Sequence, residues 1–400
     1  MISKKMRELV KGSSVIRAMF EEGRKMTALY GAEDVHDFSL GNPNIPPPAG
    51  INDIISGILR DEKPTLVHGY MNNAGYEDVR ASIAGSINTR FKTRFEAKNI
   101  LMTVGAAGGL NVIFKTLMDP GDEVVVFAPY FSEYRVYTDN YDGKLVVISP
   151  DAPGFQPNLR EFEEKLTGRT KIVVVNSPNN PTGVVYSEET IKKMAAILEN
   201  AQKKFGTDIY LIADEPYREV VYDDVFVPYI PNYYKNTIVG YSYSKSLSLP
   251  GERIGYIVIP DEAAASEDII NGATVANRIL GYVNAPSLMQ RAVVKCLDMK
   301  TDISGYNKNR EALYNGLIEA GYECVKPQGA FYLFVKSPVD SDVEFCDLAK
   351  KYHILLVPGS AFACPGYVRI AYCVAYETIA AALPKFKKLM EEISKGAPGR

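Results

Sequence analysis

Four polar residues stand shortly after apolar runs of the sequence, namely Asn180, Asp214, Tyr217 and Lys245. Eight residues past the lysine, Arg253 opens the next such run. Apolar runs of this length are typical of β-strands that are covered on both faces. In an open parallel sheet, ligands bind beyond the carboxyl ends of the strands. We therefore expect these five side chains to share one ligand site.

Together these residue types match the needs of pyridoxal phosphate. The aldehyde of this cofactor requires a lysine amine, and its ring nitrogen requires a carboxylate that keeps it protonated, so that the ring can act as an electron sink. Lys245 and Asp214 are the candidates for these two roles. The cofactor also requires hydrogen bonds to its ring hydroxyl and cationic or backbone donors for its phosphate. Each requirement has a candidate in this sequence.

The middle of the chain alternates β-branched runs with longer amphipathic stretches. This pattern predicts an α/β domain with a mainly parallel sheet. A helix is predicted from Glu188 to Lys204, after the turn signal PTG. The predicted strands are Glu123–Phe127, Lys171–Val175, Ile209–Ala213, Thr237–Tyr241 and Ile254–Ile259.

The two ends of the chain have a different pattern. Residues 1–45 predict a helix and an extended segment outside the main sheet. Beyond residue 288 the pattern is typical of an α+β domain. It comprises helices at Met289–Met299 and Gly305–Gly321, strands near Phe331–Val335 and Val368–Tyr372, and a final helix. Since 400 residues exceed one ordinary core, we predict two domains. The large domain would span 46–288, and the small domain would combine 1–45 with 289–400.

Charge and composition exclude several classes of protein. The net charge is −3 and there is no basic block, so no nucleic-acid partner is expected. No run of 18 apolar residues occurs and the N-terminus lacks a signal-peptide core, which predicts a cytoplasmic protein without a membrane partner. The three histidines lie far apart and the five cysteines form no CxxC pair, so no metal site is predicted.

At the level of motifs, the sequence resembles the class I/II aminotransferases of fold type I, the aspartate aminotransferase superfamily. The motifs that carry this resemblance are TVGAAGG (103–109), NSPNNPTG (176–183), ADEPY (213–217), SYSK…GERIGY (242–256) and YVRIA (367–371). They occur in the order and spacing of the family and cover nearly the whole chain. The resemblance implies an α/β fold, with a mainly parallel seven-stranded sheet between helices and a smaller α+β domain.

The resemblance also implies a role for each matching residue at the cofactor. Lys245 would bind pyridoxal 5′-phosphate covalently and then move protons between the substrate and the cofactor. Asp214 would pair with the ring nitrogen, and Tyr217 and Asn180 would bond to the ring oxygen. Tyr130 would stack on the ring face. The phosphate would be bound by Ser242, Arg253 and the backbone amides of Gly105, Ala106 and Ala107.

Further implied roles concern the substrate and a second subunit. Arg369 would bind the α-carboxylate of the amino acid, supported by Gly41 and Asn180. Tyr70 would reach the phosphate of the neighbouring subunit, which implies a homodimer with shared active sites.

Taken singly, these residues have simpler interpretations. A lysine after a strand is usually a solvated surface residue, and an aspartate often caps a helix. NPTG is an ordinary turn signal, Arg369 could form a surface salt bridge, and TVGAAGG is not the dinucleotide pattern GxGxxG. The family spacing of Ser242, Lys245, Arg253 and Gly255 favours the cofactor site over these alternatives.

Three positions bear on the choice of substrate. Ala107 stands where some relatives carry a basic residue for a distal carboxylate. Arg278 lies one position from a substrate arginine of dicarboxylate-specific relatives, although a solvated helix residue is the favoured interpretation. Arg17 is a second candidate for that role.

The predicted function is ping-pong transfer of an amino group from an L-amino acid to a 2-oxo acid through pyridoxamine phosphate. The alternative on the same scaffold is a pyridoxal-phosphate-dependent carbon–sulfur β-lyase, which would use the same lysine and aspartate. A nicotinamide-dependent oxidoreductase would need a GxGxxG motif in a βαβ unit, which the sequence lacks. A transcription regulator would need an added DNA-binding domain, for which residues 1–45 are too few and insufficiently basic.

Overall fold

The computed structural model describes residues 2–11 and 15–396. Most of the strands are short, and several are buried along their whole length. The strands are β1 His36–Asp37, β2 Ile100–Thr103, β3 Glu123–Phe127, β4 Lys144–Ile148, β5 Thr170–Asn176, β6 Tyr210–Asp214, β7 Thr237–Ser242, β8 Gly255–Val258, β9 Tyr332–Lys336, β10 Ile354–Leu355, β11 Val357–Pro358 and β12 Tyr367–Ala371.

The helices surround these strands. They are α1 Lys4–Lys11, α2 Val15–Tyr30, α3 Ile51–Asp61, α4 Pro64–Val67, α5 Glu77–Phe91, α6 Gly105–Leu117, α7 Glu133–Asn140, α8 Leu159–Lys165, α9 Glu188–Phe205, α10 Tyr243–Ser246, α11 Ser266–Ile279, α12 Ser287–Val294, α13 Ser304–Glu319, α14 Asp342–Lys350 and α15 Tyr376–Gly396. None of the helices within the described residues is long and apolar enough to cross a membrane.

A seven-stranded sheet of order β2-β8-β7-β6-β5-β3-β4 forms the centre of the structure. All neighbouring pairs between β7 and β4 are parallel, whereas β8 runs antiparallel to both β7 and β2. The predicted α/β class with a mainly parallel seven-stranded sheet is confirmed.

Alternation along the central strands supplies two separate cores, one on each face of the sheet. In β3, Val125 and Phe127 belong to one core, and Val124 and Val126 belong to the other. Successive side chains of a strand point to opposite faces, so a strand covered on both faces must be apolar throughout. The strand ends are consequently the places where polar side chains can occur.

The register of the parallel strands brings distant polar residues side by side. Asn176, the last residue of β5, pairs with Asp214, the last residue of β6. Asp214 is in turn opposite Gly240 of β7, two residues before Ser242. The carboxyl edge of the sheet therefore carries an asparagine, the predicted aspartate and the predicted serine on adjacent strands.

A second body of structure forms around the antiparallel sheet β11-β12-β9. Its core contains apolar residues of α13, α14 and α15, together with Phe38 from the N-terminal segment. In that segment β1 pairs in parallel with β10. The predicted grouping of residues 1–45 with 289–400, with the boundaries 45/46 and 288/289, stays a prediction.

One predicted helix differs from the structure. The helix predicted over Met289–Met299 ends at Val294, after which a turn follows. In the N-terminal segment, Lys4–Lys11 and Val15–Tyr30 are helical.

Candidate active site

Lys245 lies at the carboxyl edge of the sheet, in the short helix α10 that follows β7. Its Nζ donates a hydrogen bond to the Gly41 carbonyl oxygen at 2.8 Å. The Nζ also lies 5.2 Å from the ring centroid of Phe331 and 6.0 Å from that of Tyr217. Burial is the main cause that lowers the pKa of Lys245 to about 8. This amine therefore loses its proton more readily than a solvent-exposed lysine does.

Asp214 is a buried carboxylate at the end of β6, with a solvent exposure of 4%. The Tyr134 hydroxyl donates to its Oδ2 at 2.5 Å, whereas Oδ1 is buried without a hydrogen-bond partner among the described residues. Burial is the largest cause that raises the pKa of Asp214 to about 7, and the hydrogen bond from Tyr134 opposes this shift. An unpaired buried carboxylate oxygen is costly, so it points to a donor supplied by a ligand.

Tyr217 follows Asp214 by three residues and faces the same cavity. Its hydroxyl lies 2.8 Å from the hydroxyl of Tyr332 in β9. A Cβ atom at Gly41 would lie 2.0 Å from the Tyr332 hydroxyl oxygen, so this position has room only for glycine. The glycine allows the chain to pass close to Tyr332 and to offer its carbonyl to Lys245.

Arg369 is a fully buried cation in β12, with an exposure of 2%. Its Nη1 donates to Asn180 Oδ1 at 3.1 Å and its Nη2 donates to the Ser39 carbonyl oxygen at 2.6 Å. Both acceptors are uncharged, and Nε is buried without a partner among the described residues. The guanidinium stacks over Tyr332, at 4.6 Å from the ring centroid. A buried guanidinium with neutral partners favours an anionic ligand.

The N-terminal strap, residues 36–41, contacts the side chains of both Lys245 and Arg369. Ser39 accepts from Arg369 through its main-chain oxygen, and Gly41 accepts from Lys245 in the same way. The strap is anchored by the pairing of β1 with β10, and within it Asp37 Oδ1 accepts from the backbone and the hydroxyl of Ser39.

A third group of residues forms a cradle for an anion at the start of α6. Gly105 opens this helix with a positive φ of 74°, which a glycine adopts without strain. A Cβ atom there would lie 2.9 Å from Arg253 Nη2, so the arginine closely approaches the helix N-terminus. Ser242 caps α10, and its hydroxyl lies 2.7 Å from that of Ser244. Free amides, two hydroxyls and a guanidinium are the donors that suit a phosphate.

These groups border one cavity of about 310 Å³. Most of the predicted site residues line it, namely Gly41, Ala106, Ala107, Asn180, Asp214, Tyr217, Ser242, Lys245, Arg253 and Arg369. Gly105 joins them through its contact with Arg253.

Other predicted residues lie outside this cavity. Tyr130 is buried and its hydroxyl accepts from Arg135, whereas the adjacent Phe131 lines the cavity. Tyr70 is 92% exposed, and Arg278 is exposed on α11. Arg17 falls within α2, but its side chain is outside the described part of the structure.

Sequence reasoning missed four aromatic residues of the site. Tyr134 bonds to Asp214, Tyr332 bonds to Tyr217, and Phe131 and Tyr137 line the cavity. Two of the four, Phe131 and Tyr134, follow the APY segment after β3, where a strand end provided a signal. With 26 tyrosines in the chain, residue type alone could not single out the others.

Comparison with known proteins gives consistent matches over the whole chain. Residues 35–386 match the model of the family "Aminotransferase class I and II". The chain is 30% identical over 396 residues to an aspartate aminotransferase of Thermotoga maritima, covering 98% of this chain and 99% of the relative. It is 32% identical over 373 residues to a probable aspartate/prephenate aminotransferase of Aquifex aeolicus, covering 90% and 92%. A crystal structure of an amino transferase from Eubacterium rectale superposes with a TM-score of 0.95 at 46% identity, covering 98% and 99%.

The fold and its strand-end pocket place the protein among the fold-type I transferases. More specifically, the chain belongs to the class I and II aminotransferase family, whose members move an amino group from an amino acid to a 2-oxo acid. The predictions of family, fold class and enzymatic activity are confirmed.

Proposed function

We propose that the cavity around Lys245 binds pyridoxal 5′-phosphate and an L-amino acid, and that the chain catalyses ping-pong transamination there. The observation that carries this proposal is the orphaned Oδ1 of Asp214, a buried carboxylate oxygen on the same cavity as a lysine of lowered pKa. A protonated pyridine nitrogen is a donor that would satisfy this oxygen. The residues present therefore fit the cofactor that the family implies.

The residues would hold the cofactor at three points. Asp214 would receive the ring nitrogen, and Tyr217 and Asn180 would face the ring oxygen. The phosphate would be bound at the N-terminus of α6, by the amides of residues 105–107 with Ser242 and Arg253. When bound, the cofactor supplies an aldehyde for exchange with amines and a ring that stabilises negative charge at the substrate α-carbon.

Lys245 would act twice. Its amine would hold the cofactor covalently, and once displaced by the substrate it would take up the proton from the substrate α-carbon and deliver a proton to the cofactor. A general base works best when its pKa lies near the operating pH, and the lowered pKa of about 8 meets this condition. The Gly41 carbonyl, 2.8 Å from Nζ, would orient the amine between these steps.

Asp214 and Arg369 would fix the two ends of the reacting system. Asp214 Oδ1 would hold a proton at the ring nitrogen, while the hydrogen bond from Tyr134 to Oδ2 favours the ionised carboxylate. Arg369 would bind the substrate α-carboxylate with two parallel hydrogen bonds, which orients the α-carbon proton towards Lys245.

The homodimer is also proposed. Tyr70 is 92% exposed and Leu66, on α4 of the same segment, is 52% exposed. A partner subunit that covers this segment would remove both side chains from water. The Thermotoga maritima relative is named for aspartate and the Aquifex aeolicus relative for aspartate and prephenate, which makes aspartate the first donor to test. No observation favours the carbon–sulfur lyase.

The test combines absorption spectra with product analysis of Lys245→Ala. Wild-type protein with pyridoxal phosphate should show a visible band of the covalent lysine adduct, lose it on addition of the amino donor, and release the 2-oxo acid. The variant should lack the band and transaminate at least about a thousandfold more slowly, because both the covalent link and the base are removed. Lys193→Ala, on the exposed face of α9, is the control. Normal turnover of the Lys245 variant would refute the proposal.

A further inference from the structure

A buried ion pair adjoins Asp214 in the sequence and in space. Glu215 and Arg218 have exposures of 2% and 5%. The Arg218 Nε donates to Glu215 Oε2 at 2.5 Å, and its Nη2 donates to Oε1. This bidentate geometry is the strongest that a guanidinium and a carboxylate can form. The two charges thus neutralise each other directly behind the proposed cofactor carboxylate.

Arg218 is fixed by every part of its side chain. Its Nη1 donates to the Val227 carbonyl oxygen at 3.1 Å, and its Nη2 also donates to that of Pro228 at 2.9 Å. Its guanidinium carbon lies 5.1 Å from the ring centroid of Phe91 and 5.3 Å from that of Tyr229. The backbone N–H of Glu215 meanwhile donates to Gly240 in β7, at 2.8 Å. The pair therefore joins the turn after Asp214 to three separate parts of the fold.

The pair also balances charge around Asp214. Two adjacent buried carboxylates destabilise each other's ionised forms unless a cation compensates for one of them. Burial is the largest cause that raises the pKa of Asp214, and Glu215 raises it further. Burial likewise raises the pKa of Glu215, and Arg218 opposes that shift. The other titratable or charged groups that face these residues are Tyr134, Tyr137, Glu219, Arg90 and Tyr229.

We propose that Arg218 is a positioning residue, which keeps Asp214 ionised toward the cofactor by neutralising Glu215 and by fixing the turn that carries both carboxylates. The proposal rests on the proposed function, because it assigns Asp214 to the ring nitrogen. Arg218 itself does not line the cavity. Its effect must therefore be transmitted through charge and through the turn.

Substitutions of Arg218 and of Glu215 should shift the pH at which Asp214 ionises in opposite directions. A purely structural role would not produce opposite shifts. Arg218→Met leaves a buried negative charge beside Asp214 and should raise the pH at which Asp214 ionises, by about one unit. Glu215→Gln leaves a buried positive charge and should lower that pH. In Glu215→Gln/Arg218→Met neither charge remains, and the pH should return close to the wild-type value. Damage to packing would instead shift both single variants in the same direction.

The experiment measures the dissociation constant of pyridoxal phosphate for each apoprotein between about pH 5 and about pH 9. At neutral pH, Arg218→Met should bind about tenfold more weakly than wild type and recover at high pH, since one unit of pKa corresponds to a factor of ten. Arg218→Lys, which keeps the charge, should follow the wild-type profile. The inference would be overturned if the midpoint of the plot of cofactor affinity against pH stayed unchanged in the variants, or if it shifted in the same direction in both single variants.

The experiment distinguishes failure of this inference from failure of the proposed function. If Arg218→Met fails to fold, Glu215→Gln decides alone, and a midpoint that does not move down contradicts the inference. If wild-type apoprotein does not bind pyridoxal phosphate, the proposed function falls and takes the inference with it. Wild-type binding with no shift in the variants would refute the inference and leave the proposed function intact.

Discussion

At the scale of single residues, Asp214 makes the free energy of unfolding of the apoprotein depend on pH. Its pKa is raised from 3.8 to about 7, chiefly by burial. The folded apoprotein therefore binds this proton more tightly than the unfolded chain does. The stabilising effect of the protonated form is complete below about pH 3.8 and is lost as the pH rises to about 7. The ionised carboxylate, which suits a pyridinium, therefore lowers the stability of the folded apoprotein.

Asp214→Asn should consequently stabilise the apoprotein in a pH-dependent way. Its free energy of unfolding should exceed that of wild type at about pH 8, and the difference should shrink as the pH falls toward about 4. The Asn side chain keeps an oxygen for the Tyr134 hydroxyl, so the hydrogen bond itself is conserved. Denaturant unfolding of both apoproteins across this range measures the effect. A difference that is independent of pH would contradict the assignment of the shift to this carboxyl.

Arg369 gives a prediction about substrate binding. Arg369→Leu should raise the KM of every amino donor by roughly 30-fold to a few thousandfold, because the loss of a buried charge pair costs about 2–5 kcal/mol. Arg369→Lys should rescue little, since an ammonium cannot form two parallel hydrogen bonds. Steady-state kinetics with aspartate, alanine and phenylalanine provide the measurement.

The matched control is Arg278→Ala, an exposed residue of α11 that does not line the cavity. It should affect all three donors equally and little. A selective loss of aspartate activity in this variant would show that Arg278 reads a distal carboxylate, and would identify the substrate class.

At the scale of elements, the contact between β8 and α6 determines the phosphate cradle. A Cβ atom at Gly255 would lie 2.4 Å from the Tyr241 carbonyl oxygen in β7 and 3.2 Å from Gly105. Both neighbours are backbone, so neither can rotate away. Gly255→Ala should therefore separate β8 from its neighbours, weaken cofactor binding and destabilise the fold by about 1–3 kcal/mol.

Gly85→Ala serves as the control for this variant. Gly85 lies on the exposed side of α5, and an added Cβ would have no neighbouring atom within 4 Å. Alanine should therefore stabilise the protein by about 0.5–1 kcal/mol. Denaturant unfolding and cofactor titration of both variants test the pair. Equal behaviour of the two variants would contradict the steric argument.

A helix or strand can be predicted where its own residues carry a clear local sequence pattern. The predicted bounds of β3 agree with the structure to the residue, and those of α9 agree to within one residue at its end. An unbroken apolar run and an amphipathic run bounded by a cap are local signals. The sequence patterns do not reveal β2, whose four residues ILMT are too short to show a period, or β4. The position at which α12 ends depends on packing against α3 and α5, which no local pattern encodes.

The polar contacts of the site are less predictable than its elements. Strand-end positions group Asp214, Lys245 and Asn180 correctly around one cavity. The partners of these residues come from far along the chain, however. Tyr134 precedes Asp214 by 80 residues, and Arg369 follows Asn180 by 189. Such pairs depend on the strand order and on the docking of β12, which are properties of the tertiary fold.

At the scale of the whole molecule, substitution of Tyr70 tests whether a second subunit contributes to the cofactor site. The protein should be a homodimer by light scattering, and Tyr70→Phe should weaken cofactor binding by about 2- to 10-fold, the contribution of one hydrogen bond. The residue is 92% exposed in one chain, so within a single subunit its hydroxyl should be dispensable. An active monomer, or an unchanged cofactor affinity in the variant, would argue against shared sites.

The strap that reaches Lys245 and Arg369 does so with main-chain oxygens only. Between those two anchors stands Leu40, whose side chain is 42% exposed and borders the cavity. Because its anchoring does not depend on that side chain, position 40 can accept many residues without loss of the scaffold. Laboratory evolution of new amino-donor preferences is therefore best begun there, with a saturation library at this one codon.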